Sequence, residues 1–235
     1  MKKHIPNFVT CLNITIGSVA IVMALRGSIE IASCLILLAT ACDYIDGLIA
    51  RLLRVQSAIG ADLDSLADLV SFGVAPAMIL FMWLNECYYN LPPDLQTTEI
   101  KHLTFLACIV PAFSALRLAK FNHDNRQTTE FRGLPTPANA LFLGFLYFSA
   151  SQLQFLNNFW VMLCITFAFS ILLISDFPAF SLKFKNLKFK ENLTRYIFLF
   201  LALLLLIALQ FGAFPLIILL YIFMSLILYV FTKLK

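Results

Sequence analysis

The chain has 235 residues, of which 61% are hydrophobic and 13% are charged, and it carries a formal net charge of +4. Soluble globular domains contain about 45–50% apolar and about 25% charged residues. This composition therefore excludes an ordinary soluble enzyme, a disordered chain and a nucleic-acid-binding tail domain. At about 20 apolar residues per crossing, the length allows about eight membrane helices and no separate soluble domain.

Eight apolar stretches separated by polar turns follow one another along the chain. They cover residues 5–25, 31–53, 66–84, 103–119, 137–153, 159–174, 196–211 and 215–231. Only Gly212, Ala213 and Phe214 separate the last two stretches, which predicts a tight turn between antiparallel helices. The pattern predicts an all-α, polytopic integral membrane protein with about eight transmembrane helices.

The distribution of basic residues tests this count. If the side that carries the N terminus is called inside, 15 of the 17 Lys and Arg residues fall inside, and only Arg26 and Lys101 fall outside. Cytoplasmic loops are enriched in Lys and Arg, so the alternation predicts eight crossings with both termini in the cytoplasm. We therefore expect the protein in the cytoplasmic (inner) membrane. The first apolar run has no small-residue cleavage site after it, which favours a retained helix over a signal peptide.

Residues 178–195 form the most basic predicted loop. Lysines alternate there with aromatic and apolar residues, at Lys183, Lys185, Lys188 and Lys190. The pattern favours a plain topology anchor over a surface helix docked on anionic lipid, and it leaves the second interpretation open.

Five of the 13 acidic residues lie between positions 43 and 68, within or beside apolar stretches: Asp43, Asp46, Asp62, Asp64 and Asp68. A carboxylate in a bilayer costs at least about 2.5–3.5 kcal/mol, so such a cluster needs compensating cations. At about 100° per residue, the first two share one helix face and the last two share a face of the next helix. Asp62 lies on the opposite face. Four oxygen donors flanked by small residues predict a site for two divalent ions, Mg²⁺ or Mn²⁺.

Residues 43–68 fit the pattern DxxDGxxARx₈GxxxDxxxD at every fixed position. This pattern resembles the signature of the CDP-alcohol phosphotransferase family, whose members transfer a phosphatidyl-type group from a CDP-linked donor to an alcohol and release CMP. The resemblance implies a six-helix membrane core at residues 1–177. Residues 178–195 would then be a cytoplasmic loop, and residues 196–235 would add a two-helix membrane hairpin.

The resemblance also implies roles for individual residues. Two metal ions would lie among Asp43, Asp46, Asp64 and Asp68, and Asp68 would act as general base on the acceptor hydroxyl. The CDP-linked donor would contact Gly47, Ala50, Arg51, Gly60, Asn7 and Thr10. A homodimer is also expected from the family.

Further segments resemble the phosphatidylserine synthase branch of this family: residues 65–77, 6–13, 117–122 and 131–137. The branch implies CDP-diacylglycerol and L-serine as substrates. Candidate residues for binding the acceptor or a phosphate are Arg117, Lys120, Asn122, Arg132 and Asn13. Lys120 departs from the branch, in which Arg is more usual, so bidentate recognition would be lost there.

Three other interpretations stay open. A related enzyme could use glycerol 3-phosphate or an inositol phosphate as its alcohol. The aspartates could instead line the pathway of a divalent-cation transporter, or pair with basic residues between helices. The glycine, alanine and arginine positions favour the enzyme, because cation transport gives no reason for them.

Overall fold

The computed structural model describes residues 4–55, 58–123, 131–150, 152–176, 178–179 and 192–233. The four lysines of the basic loop lie outside the described residues. Ten α-helices are present in the described ranges: α1 His4–Leu25, α2 Ile29–Leu53, α3 Ala58–Asp68, α4 Ala75–Tyr89, α5 Thr98–His102, α6 Ile109–His123, α7 Thr136–Ser149, α8 Phe159–Ile174, α9 Leu193–Leu209 and α10 Ala213–Lys233.

Shorter elements connect these helices. A π-helical turn at Leu69–Val74, here called the π segment, joins α3 to α4 without a break. Short 3₁₀ turns occur at Pro93–Leu95, Leu103–Cys108, Gln154–Asn157 and Gln210–Gly212. Two-residue strands, β1 Phe131–Arg132 and β2 Pro178–Ala179, pair antiparallel.

The helical membrane class is confirmed, apart from this small strand pair. Five helical stretches within the described residues are long and apolar enough to cross a membrane: Ile5–Leu25, Ile29–Leu53, Ile59–Tyr89, Thr98–His123 and Leu193–Val230. Helix α8 is apolar but has only 16 residues, and α7 has 14. A count of eight depends on these two helices and on the division of the last stretch into α9 and α10.

The predicted turn between the last two helices lies slightly earlier than expected. Gln210–Gly212 form the turn, and Gln210 adopts a positive φ of 49°. Ala213 and Phe214 already belong to α10. Pro215 falls within the first turn of that helix, where a missing backbone N–H costs nothing, so the helix extends back past it.

Small residues let the first two helices pack closely against each other. Ala20 and Ala24 on α1, and Ala32 and Ala39 on α2, are fully buried. Such residues bring helix backbones together where lipid gives no hydrophobic driving force. Trp83 on α4 and other large side chains fill the interior, whereas α9 and α10 leave many large apolar side chains exposed, as lipid contact requires.

Helix α1 makes its closest approach to the π segment at Gly17. A Cβ on Gly17 would lie 2.8 Å from the Cα of Ser71. The Ser71 hydroxyl donates a hydrogen bond to the backbone carbonyl of Asn13, at 3.0 Å. Only glycine fits at this crossing.

Gly17→Ala is expected to lower the free energy of unfolding by about 1–3 kcal/mol, because the added methyl group must push α1 away from the π segment. Gly144→Ala is the matched control, since its Cβ would meet only side-chain atoms at 3.4 Å or more, the nearest being Ile36 Cδ1. Thermal unfolding in detergent measures both variants. Equal midpoints for the two would contradict the packing described here.

The segment before α7 is fixed against the end of α8 by Gly133. This residue has a φ of +79°, and a Cβ on it would lie 3.0 Å from the Leu173 carbonyl oxygen and 3.1 Å from that of Ser175. The Leu134 N–H donates to the Leu172 carbonyl, at 3.4 Å. These contacts hold the start of α7 at the end of the bundle where α6 and α8 also end.

Candidate active site

Three aspartates from two helices converge on one point. Asp43 comes from α2, and Asp64 and Asp68 come from α3; one carboxylate oxygen of each lies within 4.8 Å of those of the other two. Arg54 adopts a left-handed conformation with φ 52° and ends α2, and α3 begins at Ala58. Helical periodicity then turns Asp64 and Asp68, four residues apart, toward Asp43.

Asp46 lies next to this group and has its own partner. Its side chain is 5% exposed, and its Oδ2 atom accepts a hydrogen bond from the Thr10 hydroxyl at 2.8 Å. The same hydroxyl lies 3.1 Å from the Pro6 carbonyl. A hydroxyl has one proton, and the ionised carboxylate is the stronger acceptor. Thr10, predicted to contact the CDP-linked donor, therefore orients Asp46 in this structure.

Arg117 of α6 is the cation beside the carboxylates. It interacts electrostatically with Asp68, and its Nη1 atom donates to the Thr136 hydroxyl at 3.2 Å. Its guanidinium lies 5.7 Å from the centre of the Phe121 ring. Among the described residues, Lys120 and Asp176 form an ion pair with an N–O distance below 4 Å. None of the four site carboxylates forms an ion pair that close with a described residue. A carboxylate network neutralised by basic side chains is therefore not what the described residues form.

The donor set fits a hard divalent cation. Three carboxylate oxygens within 4.8 Å of one another, with the Asp46 carboxylate close by, offer oxygen ligands of the kind that Mg²⁺ and Mn²⁺ prefer. Four carboxylates this close together repel one another, so a bound cation lowers their energy. Asp62 is exposed and takes no part in the cluster.

The residues predicted to contact the CDP-linked donor follow Asp46 toward the end of α2, or lie near the start of α1 and α3. Gly47 faces open space, since a Cβ on it would meet nothing within 4 Å. The Arg51 Nε atom donates to the Gly47 carbonyl at 2.9 Å. The other three are half-buried: Asn7, Ala50 and Gly60.

The predicted acceptor residues are spread more widely. Lys120 pairs with Asp176 at 2.8 Å, and the Asn122 amide donates to the Ser65 hydroxyl at 2.9 Å. Asn13 is fully buried, and its amide atoms have no hydrogen-bond partner among the described residues. Arg132 lies in β1, and its side chain is outside what the structure describes.

Sequence reasoning missed several residues around Arg117. Thr136 accepts a hydrogen bond from the Arg117 guanidinium. Ser114 lies about one helical turn before Arg117 on α6, and Asn139 lies about one turn after Thr136 on α7. Tyr221 of α10 interacts electrostatically with Arg117. Ser114 and Asn139 are spaced three residues from Arg117 and from Thr136. That spacing could have indicated them once α6 and α7 were known to touch. Tyr221 lies 104 positions beyond Arg117, and no local pattern connects the two.

The fold and the site together define a class of protein, a polytopic helical membrane protein with an acidic site of the metal-binding type. The family model for CDP-alcohol phosphatidyltransferase matches residues 3–172. The chain belongs to the CDP-alcohol phosphatidyltransferase family. The match ends within α8 and leaves α9 and α10 outside it.

Several relatives are similar over most of the chain. The CDP-diacylglycerol–serine O-phosphatidyltransferase of Mycobacterium leprae is 38% identical over 186 residues, which cover 74% of this chain and 57% of the relative. The protein of that name from Methanocaldococcus jannaschii is 36% identical over 173 residues, or 73% and 71% of the two chains. The archaetidylserine synthase of Methanothermobacter thermautotrophicus is 30% identical over 174 residues, or 73% and 67%. The chain thus aligns with less than two thirds of the Mycobacterium leprae relative.

Thr10→Val is expected to weaken Mn²⁺ binding by about 10-fold, because loss of a hydrogen bond that orients a metal ligand typically has an effect of this size. Thr15→Val is the matched control on the same helix. The Thr15 hydroxyl donates at 2.9 Å to the carbonyl of Cys11 in α1, not to an aspartate. The paramagnetic resonance signal of free Mn²⁺ measures binding without any turnover. Equal affinities for the two variants would remove Thr10 from the site.

Proposed function

We propose that this protein transfers the phosphatidyl group of CDP-diacylglycerol to the hydroxyl of L-serine, giving phosphatidylserine and CMP. The observation that carries the proposal is the convergence of Asp43, Asp64 and Asp68 in a chain of this family. The names of the relatives support serine as the acceptor. The archaetidylserine synthase among them supports the same acceptor with a different lipid.

The four aspartates Asp43, Asp46, Asp64 and Asp68 would hold two divalent ions, Mg²⁺ or Mn²⁺. When bound, these ions would neutralise the donor diphosphate and stabilise the charge on the entering and leaving oxygens. Thr10 would keep the Asp46 carboxylate aimed at the site through its hydrogen bond.

Asp68 is proposed as the general base. Its Oδ1 atom is buried and has no hydrogen-bond partner among the described residues, so it is available to a substrate hydroxyl. Asp68 takes the proton of the serine hydroxyl as the hydroxyl oxygen bonds to the β-phosphorus of the donor. The bond from that phosphorus to the oxygen bridging to CMP breaks, and the electron pair leaves with CMP.

The remaining predicted residues would position the two substrates. The open space beside Gly47 supports close approach of the nucleotide to α2, with Ala50, Arg51, Gly60 and Asn7 around it. The serine carboxylate or a donor phosphate would be bound by Arg117, which is already oriented by Thr136. The same role is proposed for Lys120, Asn122, Arg132 and Asn13.

We extend the proposal to topology. Eight crossings would result if α7, α8, α9 and α10 each span the membrane, with both termini and the site facing the cytoplasm. The protein would lie in the cytoplasmic membrane as a homodimer, as the family resemblance implies. Residues 1–177 would form the catalytic core and residues 196–235 an added hairpin.

The test is release of CMP by purified protein from CDP-diacylglycerol with Mg²⁺ or Mn²⁺, comparing L-serine with glycerol 3-phosphate and inositol phosphate. Serine-dependent release is the expected result. Release with another alcohol alone would keep the reaction and replace the acceptor. With folded protein, the absence of release with every acceptor would overturn the proposal, and metal flux into proteoliposomes would then support a transporter.

A further inference from the structure

Two polar side chains lie one helical turn beyond Arg117 and its partner Thr136. Helix α6 ends and α7 begins at the same end of the bundle, so the two helices are antiparallel. Residues before Arg117 on α6 and residues after Thr136 on α7 therefore lie on the same side of the Arg117–Thr136 hydrogen bond. Ser114 precedes Arg117 by three residues, and Asn139 follows Thr136 by three. Each therefore lies about 4.5 Å deeper along its helix, at the same level.

Both side chains are fully buried and, among the described residues, without hydrogen-bond partners. Ser114 and Asn139 are each 0% exposed. The Ser114 hydroxyl and both amide atoms of Asn139 have no hydrogen-bond partner among the described residues. In a membrane interior, polar atoms without partners are strongly disfavoured, so these atoms indicate a ligand that supplies the missing hydrogen bonds.

Neighbouring polar residues show that burial alone does not explain the missing hydrogen bonds of Ser114 and Asn139. Helix α8 packs against both α6 and α7 and carries Thr166 and Ser170, which are 1% and 0% exposed. Their hydroxyls donate to carbonyls of their own helix, at 2.8 Å to Met162 and 2.7 Å to Thr166. Buried hydroxyls in this part of the bundle are thus satisfied locally when they have no ligand to bind.

Ser114 contacts the segment that follows the last aspartate of the site. A Cβ on Gly73 would lie 3.2 Å from the Ser114 Cβ, so Ser114 packs directly on the π segment, which α7 also contacts. The π segment begins immediately after Asp68. Single π-helical turns within α-helices occur frequently at functional sites. The Arg117 Nε atom also has no partner among the described residues.

We infer that Ser114 and Asn139 form the subsite that binds the ammonium group of an amino-acid acceptor. The inference rests on the proposed function and names the groups that recognise the acceptor. An ammonium has three donors and no acceptor. The Ser114 Oγ and Asn139 Oδ1 atoms are acceptors that have no partner among the described residues. Arg117 binds the carboxylate of the same acceptor. A hydroxy amino acid carries its three polar groups on neighbouring carbons, so it spans about one helical turn, the distance from Arg117 to Ser114.

The subsite separates amino-acid acceptors from phosphorylated alcohols. A phosphate needs donors only, and the exposed Lys120 and Arg51 could supply them to glycerol 3-phosphate without Ser114 or Asn139. An ammonium needs buried acceptors. This requirement gives the two acceptor classes different expected responses to the same substitutions.

The test measures CMP release against L-serine concentration at saturating CDP-diacylglycerol, for Ser114→Ala and Asn139→Leu. Each variant is expected to raise the KM for L-serine about 10-fold, the effect of a lost hydrogen bond to a charged group, and to leave the KM for CDP-diacylglycerol unchanged. Ser170→Ala is the matched control, because it removes an equally buried hydroxyl that has a local partner. It is expected to leave both KM values unchanged.

A second readout uses 3-hydroxypropionate, which has the hydroxyl and carboxylate of serine but no amino group. The ratio of kcat/KM for L-serine to that for 3-hydroxypropionate is expected to fall about 10-fold in both variants. An unchanged ratio, with or without a fall in kcat, overturns the subsite and leaves the residues a structural role. If Asn139→Leu does not fold, Ser114→Ala decides, since it removes one atom. If the wild-type protein shows no serine-dependent release, the proposed function fails and the subsite fails with it.

Discussion

Asp68→Asn is expected to reduce kcat about 10³-fold while the protein stays folded. The asparagine amide has nearly the shape of the carboxylate but cannot take the proton of an acceptor hydroxyl, and loss of a general base typically costs 10²–10⁴-fold in rate, about this range. The change also removes one negative charge from the group formed with Asp43 and Asp64. Release of CMP under single-turnover conditions measures the effect on chemistry apart from product release.

The same substitution at an exposed aspartate of the same helix is the control. Asp62 precedes Asp64 by two residues and lies on the solvent- or lipid-facing side of α3, so Asp62→Asn is expected to keep full activity. Asp64→Asn should lose activity as Asp68→Asn does. A folded Asp68→Asn variant elutes in detergent at the same volume as the wild-type protein. Full turnover in such a variant would show that Asp68 is not the general base.

The carboxylate cluster illustrates what helical periodicity can predict. Spacings of three and four residues put Asp43 and Asp46 on one face, and Asp64 and Asp68 on another, before any packing is known. The convergence of Asp43 with the second pair follows once α2 and α3 are joined by a short reversal. The sequence could not separate Asp46 from the other three, because its partner Thr10 lies on α1, 36 positions away.

Long-range contacts explain what else could not be predicted. The π segment after Asp68 has no local sequence pattern that predicts it. Helix α1 contacts it through Gly17, and α6 contacts it at Gly73. Glycine in an apolar stretch indicates that something comes close without indicating which helix does so. Membrane helix ends were uncertain for a related reason, since a bilayer limits helix length only loosely.

The C-terminal hairpin lies outside the matched family segment, yet it packs against that segment. Helix α10 packs against α7 and β2, and its Tyr221 is 8% exposed. Tyr221 interacts electrostatically with Arg117, the residue that also contacts Thr136. The hairpin therefore packs beside α7, the helix that carries the Arg117 partner Thr136.

Removal of divalent metal is expected to abolish turnover and to lower stability. Chelation leaves four carboxylates close together without the bound cation, so both the neutralisation of the donor diphosphate and the compensation of their repulsion are lost. Mg²⁺ or Mn²⁺ should restore CMP release. Ca²⁺ should restore much less, because it prefers longer bonds and more ligands than Mg²⁺ does.

The stability change provides a readout that does not depend on substrates. A cation that binds only the folded protein stabilises it by about 2.7 kcal/mol at 100 times its dissociation constant, so Mn²⁺ should raise the midpoint of thermal unfolding. Asp43→Asn should reduce this shift, whereas Asp62→Asn should leave it intact, since only Asp43 belongs to the cluster. Full activity after chelation, or an equal Mn²⁺ shift in both variants, would show that the carboxylates do not act through a bound metal. Loss of the shift in Asp43→Asn alone would place the metal between α2 and α3, where the helix faces bring the aspartates together.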